Sequence, residues 1–268
     1  MNETKELSWQ QSILRYRIAG TGEAVILLHG FGEDATVFDR QAMLLAKRYK
    51  VILPDLPGSG ASDLQPYANS MDDYAESLKA VLDQEEIKHC VFIGHSMGGY
   101  IALAFEEKFP DVTKGFGLFH SSAYADDEEK IASRKKGIQF IREHGSEKFL
   151  AQAIPNLFSE KTRSEQPSLI QELISRYANF NPEALVQYYD AMIVRPDRTH
   201  VLKNTGKPVL FILGEFDTAI PLLKGLEQTI LPGICYIHIC HKSGHMAMLE
   251  EAKICDNALV EFIAAVLS

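Results

Sequence analysis

The chain has 268 residues, 46% hydrophobic and 24% charged, with 36 acidic side chains against 27 lysines and arginines. That length and composition suit one large domain, or one domain with an insertion, and argue against disorder, collagen-like repetition or a repeat array. A formal net charge of −9 repels polyanions, which argues against nucleic acid and anionic membranes as partners and leaves small neutral or apolar molecules open.

The first ten residues, Met1 to Gln10, are polar and contain no apolar leader, and no apolar run approaches the ~20 residues of a membrane span, so a cytoplasmic protein is expected. Strands are predicted at Gln10–Ile18 and Ala24–Leu28, a helix-like segment over Ala35–Arg48, and a third strand at Val51–Leu53. Between them His29-Gly30-Phe31-Gly32 reads either as a strand-ending turn or as a loop whose amides point inward. In the second reading the Phe31 N–H is a candidate oxyanion donor. The breaker-rich run Leu53–Asp63 is a loop in which Asp55 is expected to bond its own turn. Asn69–Gln84 has helical periodicity through Met71, Tyr74, Leu78, Val81 and Leu82. Continuous apolar runs recur at Val91–Ile93, Gly115–Phe119, Val209–Leu213 and Ile234–Ile239. Strands apolar on both faces imply a mostly parallel sheet between helices, an α/β fold. Cys90, Cys235, Cys240 and Cys255 lie in or beside such apolar segments without metal or redox spacing, and are expected as reduced thiols.

The stretch with most chemical content is Val91-Phe92-Ile93-Gly94-His95-Ser96-Met97-Gly98-Gly99, a strand, a Gly-x-Ser-x-Gly turn and the start of a helix with no breaker until Pro110. A serine on so tight a turn is strained, and Gly94 and Gly98 must be small to let the chains pass. Ser96 Oγ would stand clear of the sheet, with the Met97 N–H beside it as a second oxyanion donor. Beyond the fifth strand, residues 121–204 lose the strand rhythm. They read as helices over Asp126–Glu143, Glu147–Phe158, Ser168–Phe180 and Pro182–Leu202, a helical cap. The acidic run Asp126–Glu129, ahead of Arg134-Lys135-Lys136, reads as an ordinary helix start with a basic partner face. After Val209–Leu213 come Glu215 and Asp217 as candidate acids, and after Ile234–Ile239 come His241 and His245, with His238 inside the strand. His238, His241 and His245 could be counted as a metal trio, but no carboxylate or cysteine completes a zinc pattern.

The strand order, the His29-Gly30 turn, the Asp55–Gly60 loop and the Gly94–Gly99 elbow together resemble the α/β-hydrolase superfamily over nearly the whole chain outside the middle insertion. The resemblance implies a twisted sheet of about eight strands flanked by helices. Residues 1–120 and 205–268 would form the core, and residues 121–204 a cap over the carboxyl ends of the strands. It implies a triad in the chain order Ser96, Asp217, His245, with His245 as base, Asp217 fixing its orientation and the Phe31 and Met97 amides holding the oxyanion. Glu215 is expected to face solvent. His29, Gly30 and His95 belong to the substrate surroundings, and Phe140, Phe149, Phe158, Tyr188 and Met192 are lining candidates that ordinary helix packing would also explain. The expected activity is hydrolysis of a small or medium uncharged carboxylic ester through an acyl-enzyme, with a small-molecule substrate, no cofactor and no metal, in a monomer or homodimer. Lactonases, carbon–carbon bond hydrolases, perhydrolases, hydroxynitrile lyases and slow receptors share the scaffold.

Overall fold

The computed structural model describes residues 3–268, so Met1 and Asn2 of the polar amino-terminal stretch lie outside the described residues. One eight-stranded sheet organises the chain. Its strands are β1 (Glu3–Trp9), β2 (Ser12–Ala19), β3 (Ala24–Leu28), β4 (Lys50–Pro54), β5 (Cys90–His95), β6 (Thr113–Phe119), β7 (Pro208–Gly214) and β8 (Ile234–Cys240). The spatial order is β1-β2-β4-β3-β5-β6-β7-β8. β2 runs antiparallel to both β1 and β4, and every pair from β4 to β8 is parallel. The central strands β3 and β5 are buried along their whole length, as their unbroken apolar runs require. β1 and β8, at the edges, keep exposed positions.

Helices cover the sheet. α1 (Asp39–Leu45), α2 (Met71–Gln84) and α3 (Met97–Lys108) connect the first strands, and α2 begins where Ser70 accepts the Asp73 amide and donates to the Asp73 carboxylate. Ten of the twelve residues of α3 are buried, so it is an interior helix. Between β6 and β7 lie α4 (Glu128–Ala153), α5 (Glu160–Glu165), α6 (Pro167–Tyr177), α7 (Pro182–Ile193) and α8 (Thr199–Asn204). α9 (Leu222–Leu226), α10 (Ala247–Glu250) and α11 (Ala252–Leu267) complete the chain. Two expectations change here. β1 was absent from the predicted elements, and the predicted helix Pro182–Leu202 is two helices, because α7 stops at Ile193 ahead of Pro196. Among the described residues no helix is long and apolar enough to cross a membrane. The four cysteines are unbridged; Cys240 and Cys255 touch at 3.8 Å between sulfurs.

Candidate active site

Ser96 leaves β5 and caps α3 with φ 51° and ψ −115°, a conformation that costs an L-residue energy and persists only when its surroundings impose it. Here they do. The Ser96 amide donates to Phe119 O at 2.9 Å, and its carbonyl accepts from the Ser121 hydroxyl at 2.7 Å and the Gly99 amide at 2.9 Å. A Cβ on Gly94 would lie 2.2 Å from Gly98 O, and one on Gly98 2.5 Å from Leu28 O, so the crossing admits only glycine at both positions. Ser96 alone in the elbow is incompletely buried, and it opens onto a cavity of about 310 Å³ whose wall also carries His245 and Phe31. Ser96 Oγ makes no hydrogen bond among the described residues; nucleophile and base in such sites commonly close up only around substrate. The Met97 amide is the first of α3, where no carbonyl of the helix can reach it, while the Met97 side chain is wholly buried.

His245 sits in the loop after β8 and Asp217 in the loop after β7. Their contact, Nδ1 to Oδ2, is 2.8 Å. Asp217 Oδ1 accepts the amides of Ala219 and Ile220, each at 2.9 Å. A second imidazole, His120 at the end of β6, reaches the same Oδ2 at 3.0 Å. The Ala247 amide donates to His120 Nε2, so the His120 proton is on Nδ1 and points at Asp217. Burial alone would raise the Asp217 pKa, but the charge of His245 and the bonds from both imidazoles outweigh it and hold the carboxyl far below the usual range. Burial drives His120 the other way, down to about 4 despite Asp217, so it is a neutral donor at neutral pH. His120, Asp217 and His245 place possible ligand atoms within 4.8 Å of one another. Their spacings are those of N–H groups donating to one oxygen. The trio of His238, His241 and His245 does not assemble: His241 is exposed and bonds Glu215 at 2.8 Å, which also places Glu215 away from His245.

The loop carrying His245 is fastened from two further sides. The His245 amide donates to Leu157 O at 2.6 Å, and Glu250 accepts the Gly244 and Ser159 amides, joining this loop to the helical insertion. His95 lines the cavity, yet both its ring nitrogens are committed, Nδ1 to Glu33 at 3.0 Å and Nε2 to His245 O at 2.9 Å. Both partners are acceptors, so the ring donates twice. Burial would lower the His95 pKa, but the Glu33 charge and hydrogen bond raise it overall, while Glu33 is lowered by the same pairing against its own burial. His95 therefore ties the loop that carries His245 to Glu33 while still standing on the cavity wall.

Several expected lining residues lie elsewhere. His29 is buried beneath the site, bonding Gly30 O, the Leu56 amide and Ser59, and the Gly30 amide donates to Glu33, so neither reaches the cavity wall. Tyr188 faces inward and donates to Pro57 O at 2.8 Å; its neighbour Tyr189 is on the wall, stacked on Phe31 at 4.3 Å. Phe149 packs behind that pair, Phe140 sits against His144, and Phe158 is buried next to the lining residue Leu157. Met192 does line the cavity. Asp126 is also not a surface residue: its buried carboxylate clasps Arg134 at 2.5 Å and Arg195 at 2.9 Å, while Asp127 caps α4. Asp55 accepts the Ala35 and Ala61 amides, as its loop setting implied.

A mostly parallel sheet with a strained serine elbow after β5, acid after β7 and histidine after β8 defines a hydrolase-type scaffold. The family description "alpha/beta hydrolase fold" matches residues 23–252, and the chain belongs to that family. Among relatives, an uncharacterised protein of Mycobacterium tuberculosis is 38% identical over 112 residues, 42% of this chain but only 33% of that protein's length. A 2-hydroxy-6-oxononadienedioate/2-hydroxy-6-oxononatrienedioate hydrolase of Cupriavidus pinatubonensis is 30% identical over 257 residues, covering 90% of this chain and 86% of that one. The solved structure of a thermophilic esterase from Thermogutta terrifontis, with malate bound, superposes with a TM-score of 0.92 at 26% identity over the full length of both chains.

Proposed function

We propose that the protein is a serine hydrolase that cleaves a small or medium carboxylic ester through an acyl-enzyme. Ser96 Oγ attacks the acyl carbonyl while His245 Nε2 takes its proton and passes it to the departing alcohol. Water then attacks the acyl-enzyme with His245 again as base. Asp217, ionised throughout the working range, fixes the His245 tautomer with the proton on Nδ1 and stabilises the imidazolium. The amides of Phe31 and Met97 bracket the developing alkoxide. The observation that carries this reading is a serine held at φ 51° on the wall of a cavity shared with a histidine that is itself clamped to a buried carboxylate. The likeness to a Thermogutta terrifontis esterase supports it.

A second reading uses the same residues to break a carbon–carbon bond beside a carbonyl, and the 30% identity to the Cupriavidus pinatubonensis hydrolase favours it. Hydrolysis of p-nitrophenyl esters from acetate to laurate, with Ser96→Ala run in parallel, decides between them. The proposal expects ester turnover that falls by about a thousandfold or more in the variant. Full activity in folded Ser96→Ala protein overturns the serine reading; silence with every ester, together with cleavage of a 2-hydroxy-6-oxodienoate, transfers the assignment to the second.

A further inference from the structure

The cavity in front of Ser96 is mainly apolar, but two cations from the first half of α4, Lys130 and Arg134, stand in its wall. Their charges are not balanced nearby. Arg134 uses Nε and Nη2 on Asp126, and Asp126 is shared with Arg195 at 2.9 Å, so one carboxylate answers two guanidiniums. Lys130 Nζ meets only the carbonyl of Ala219, at 3.4 Å, and no carboxylate lies within ion-pair distance of it among the described residues. The one acid among the lining residues, Glu33, is consumed by His95 and the Gly30 amide. Arg134 Nη1 has no hydrogen-bond partner among the described residues, and its guanidinium lies beside the Tyr189 ring at 5.5 Å. Cations in a largely apolar cavity are poorly screened and gain most from a fixed anion.

From this arrangement we infer that the substrate carries a free carboxylate, bound by Lys130 and Arg134 while its scissile carbonyl sits at Ser96. The class is the half-ester of an aliphatic dicarboxylic acid, in place of the uncharged ester expected from sequence, and the inference rests on the serine hydrolase reading for its reaction but not for its binding. The net charge of −9 spreads over the whole surface and is screened beyond about 8 Å at physiological salt, whereas these two cations act at contact. Lys130 touches the turn that follows Asp217, so the anion would lie on the acid-and-base side of the cavity, near α4. The apolar wall of Leu150, Ile154 and Met192 suits the methylene chain between the two ends.

The test compares monomethyl adipate with methyl hexanoate, which share a chain and differ in the terminal carboxylate. Turnover is followed with the wild type, and equilibrium binding by calorimetry with Ser96→Ala protein. Tighter binding of the half-ester by about tenfold or more is expected, with a similar preference in kcat/KM. Lys130→Gln, which disturbs no ion pair, should cut that ratio by about tenfold. Arg134→Gln should cut it further if it folds. Equal binding and equal turnover of the two esters overturns the carboxylate site and leaves the serine reading intact. Preferential binding of the half-ester without turnover of either compound upholds the site and counts against the hydrolase reading instead.

Discussion

Asp217 Oδ2 receives two imidazole N–H groups, and of the two imidazoles only His245 stands on the cavity wall. His120 is a positioning residue. It fills the remaining acceptor capacity of Oδ2 and leaves the carboxylate no freedom to swing, since Oδ1 already takes two amides. Its neutrality has a thermodynamic consequence. With a native pKa of about 4 against about 6.5 unfolded, the unfolded chain takes up a proton the native one refuses, so stability falls as pH drops below 6.5 and the loss is complete below 4. By pH 5 the loss assigned to His120 is about 2 kcal/mol. Asparagine in its place keeps an N–H for Asp217 and does not titrate, so urea unfolding at pH 7 and pH 5 should show His120→Asn losing less stability than the wild type by that amount. His95, His245 and Asp217 are common to both proteins, which isolates the difference; identical pH slopes would mean His120 is not the proton-linked group. Nothing in the sequence singled out His120, a lone histidine closing an apolar strand with no motif around it. That Asp217 meets His245 and that His245 shares a cavity wall with Ser96 is what the resemblance implied from an elbow, a strand-end acid and a glycine-preceded histidine in that chain order. Tyr188 and Tyr189 point about 100° apart around their helix, and which of the two reaches the cavity follows only from how that helix is placed.

At the level of elements, what composition disclosed was whatever is buried on two faces. β3, β5 and β7 announce themselves by unbroken apolar runs, whereas β1, Glu-Thr-Lys-Glu-Leu-Ser-Trp, alternates at a sheet edge and reads as a polar terminus. The insertion was legible at its breaker: Gly145 reads as a break between two helices, and the backbone does leave the helix there, at φ 83° and ψ 169° in a region open essentially to glycine alone, before α4 resumes beyond it. That kink aims the second half of α4, with Leu150 and Ala153, at the cavity. A Cβ on Gly145 would meet nothing within 4 Å, so alanine there pays only the backbone penalty, about 1–3 kcal/mol. Gly145→Ala should therefore fold, melt at a lower temperature and shift the preferred acyl length as the α4 segment relaxes. An unchanged melting temperature would show that alanine takes this backbone conformation without cost.

For the molecule as a whole, the question is what holds the helical insertion over a sheet it does not join. The answer lies at its two ends. Arg198, just before α8, pairs with Asp72 of α2 and Glu107 of α3, and Arg195 lies over the Tyr100 ring of α3 at 3.9 Å while donating to Tyr124 O. Asp126, at the start of the insertion, joins Arg195 at its end to Arg134 on the cavity wall. One buried carboxylate thus closes the insertion on itself, fastens it to α3 and holds a wall residue in place. Burial opposes the Asp126 charge, but the Arg134 hydrogen bond and the two guanidiniums lower its pKa overall, so its contribution is present above about 4 and lost as pH falls through the native value. Asp126→Asn leaves two guanidiniums facing each other without an anion, and breaking a buried pair in this way costs about 3–5 kcal/mol. The variant should show a lower denaturant midpoint at pH 7, with a smaller gap from the wild type at pH 3, below the ordinary carboxylate value of 3.8, where protonation of the unfolded chain has begun to cancel the contribution. If the midpoints coincide at pH 7, the Arg198 ion pairs and apolar contacts hold the insertion without Asp126, and Arg134 owes its place to packing against Tyr189 rather than to Asp126.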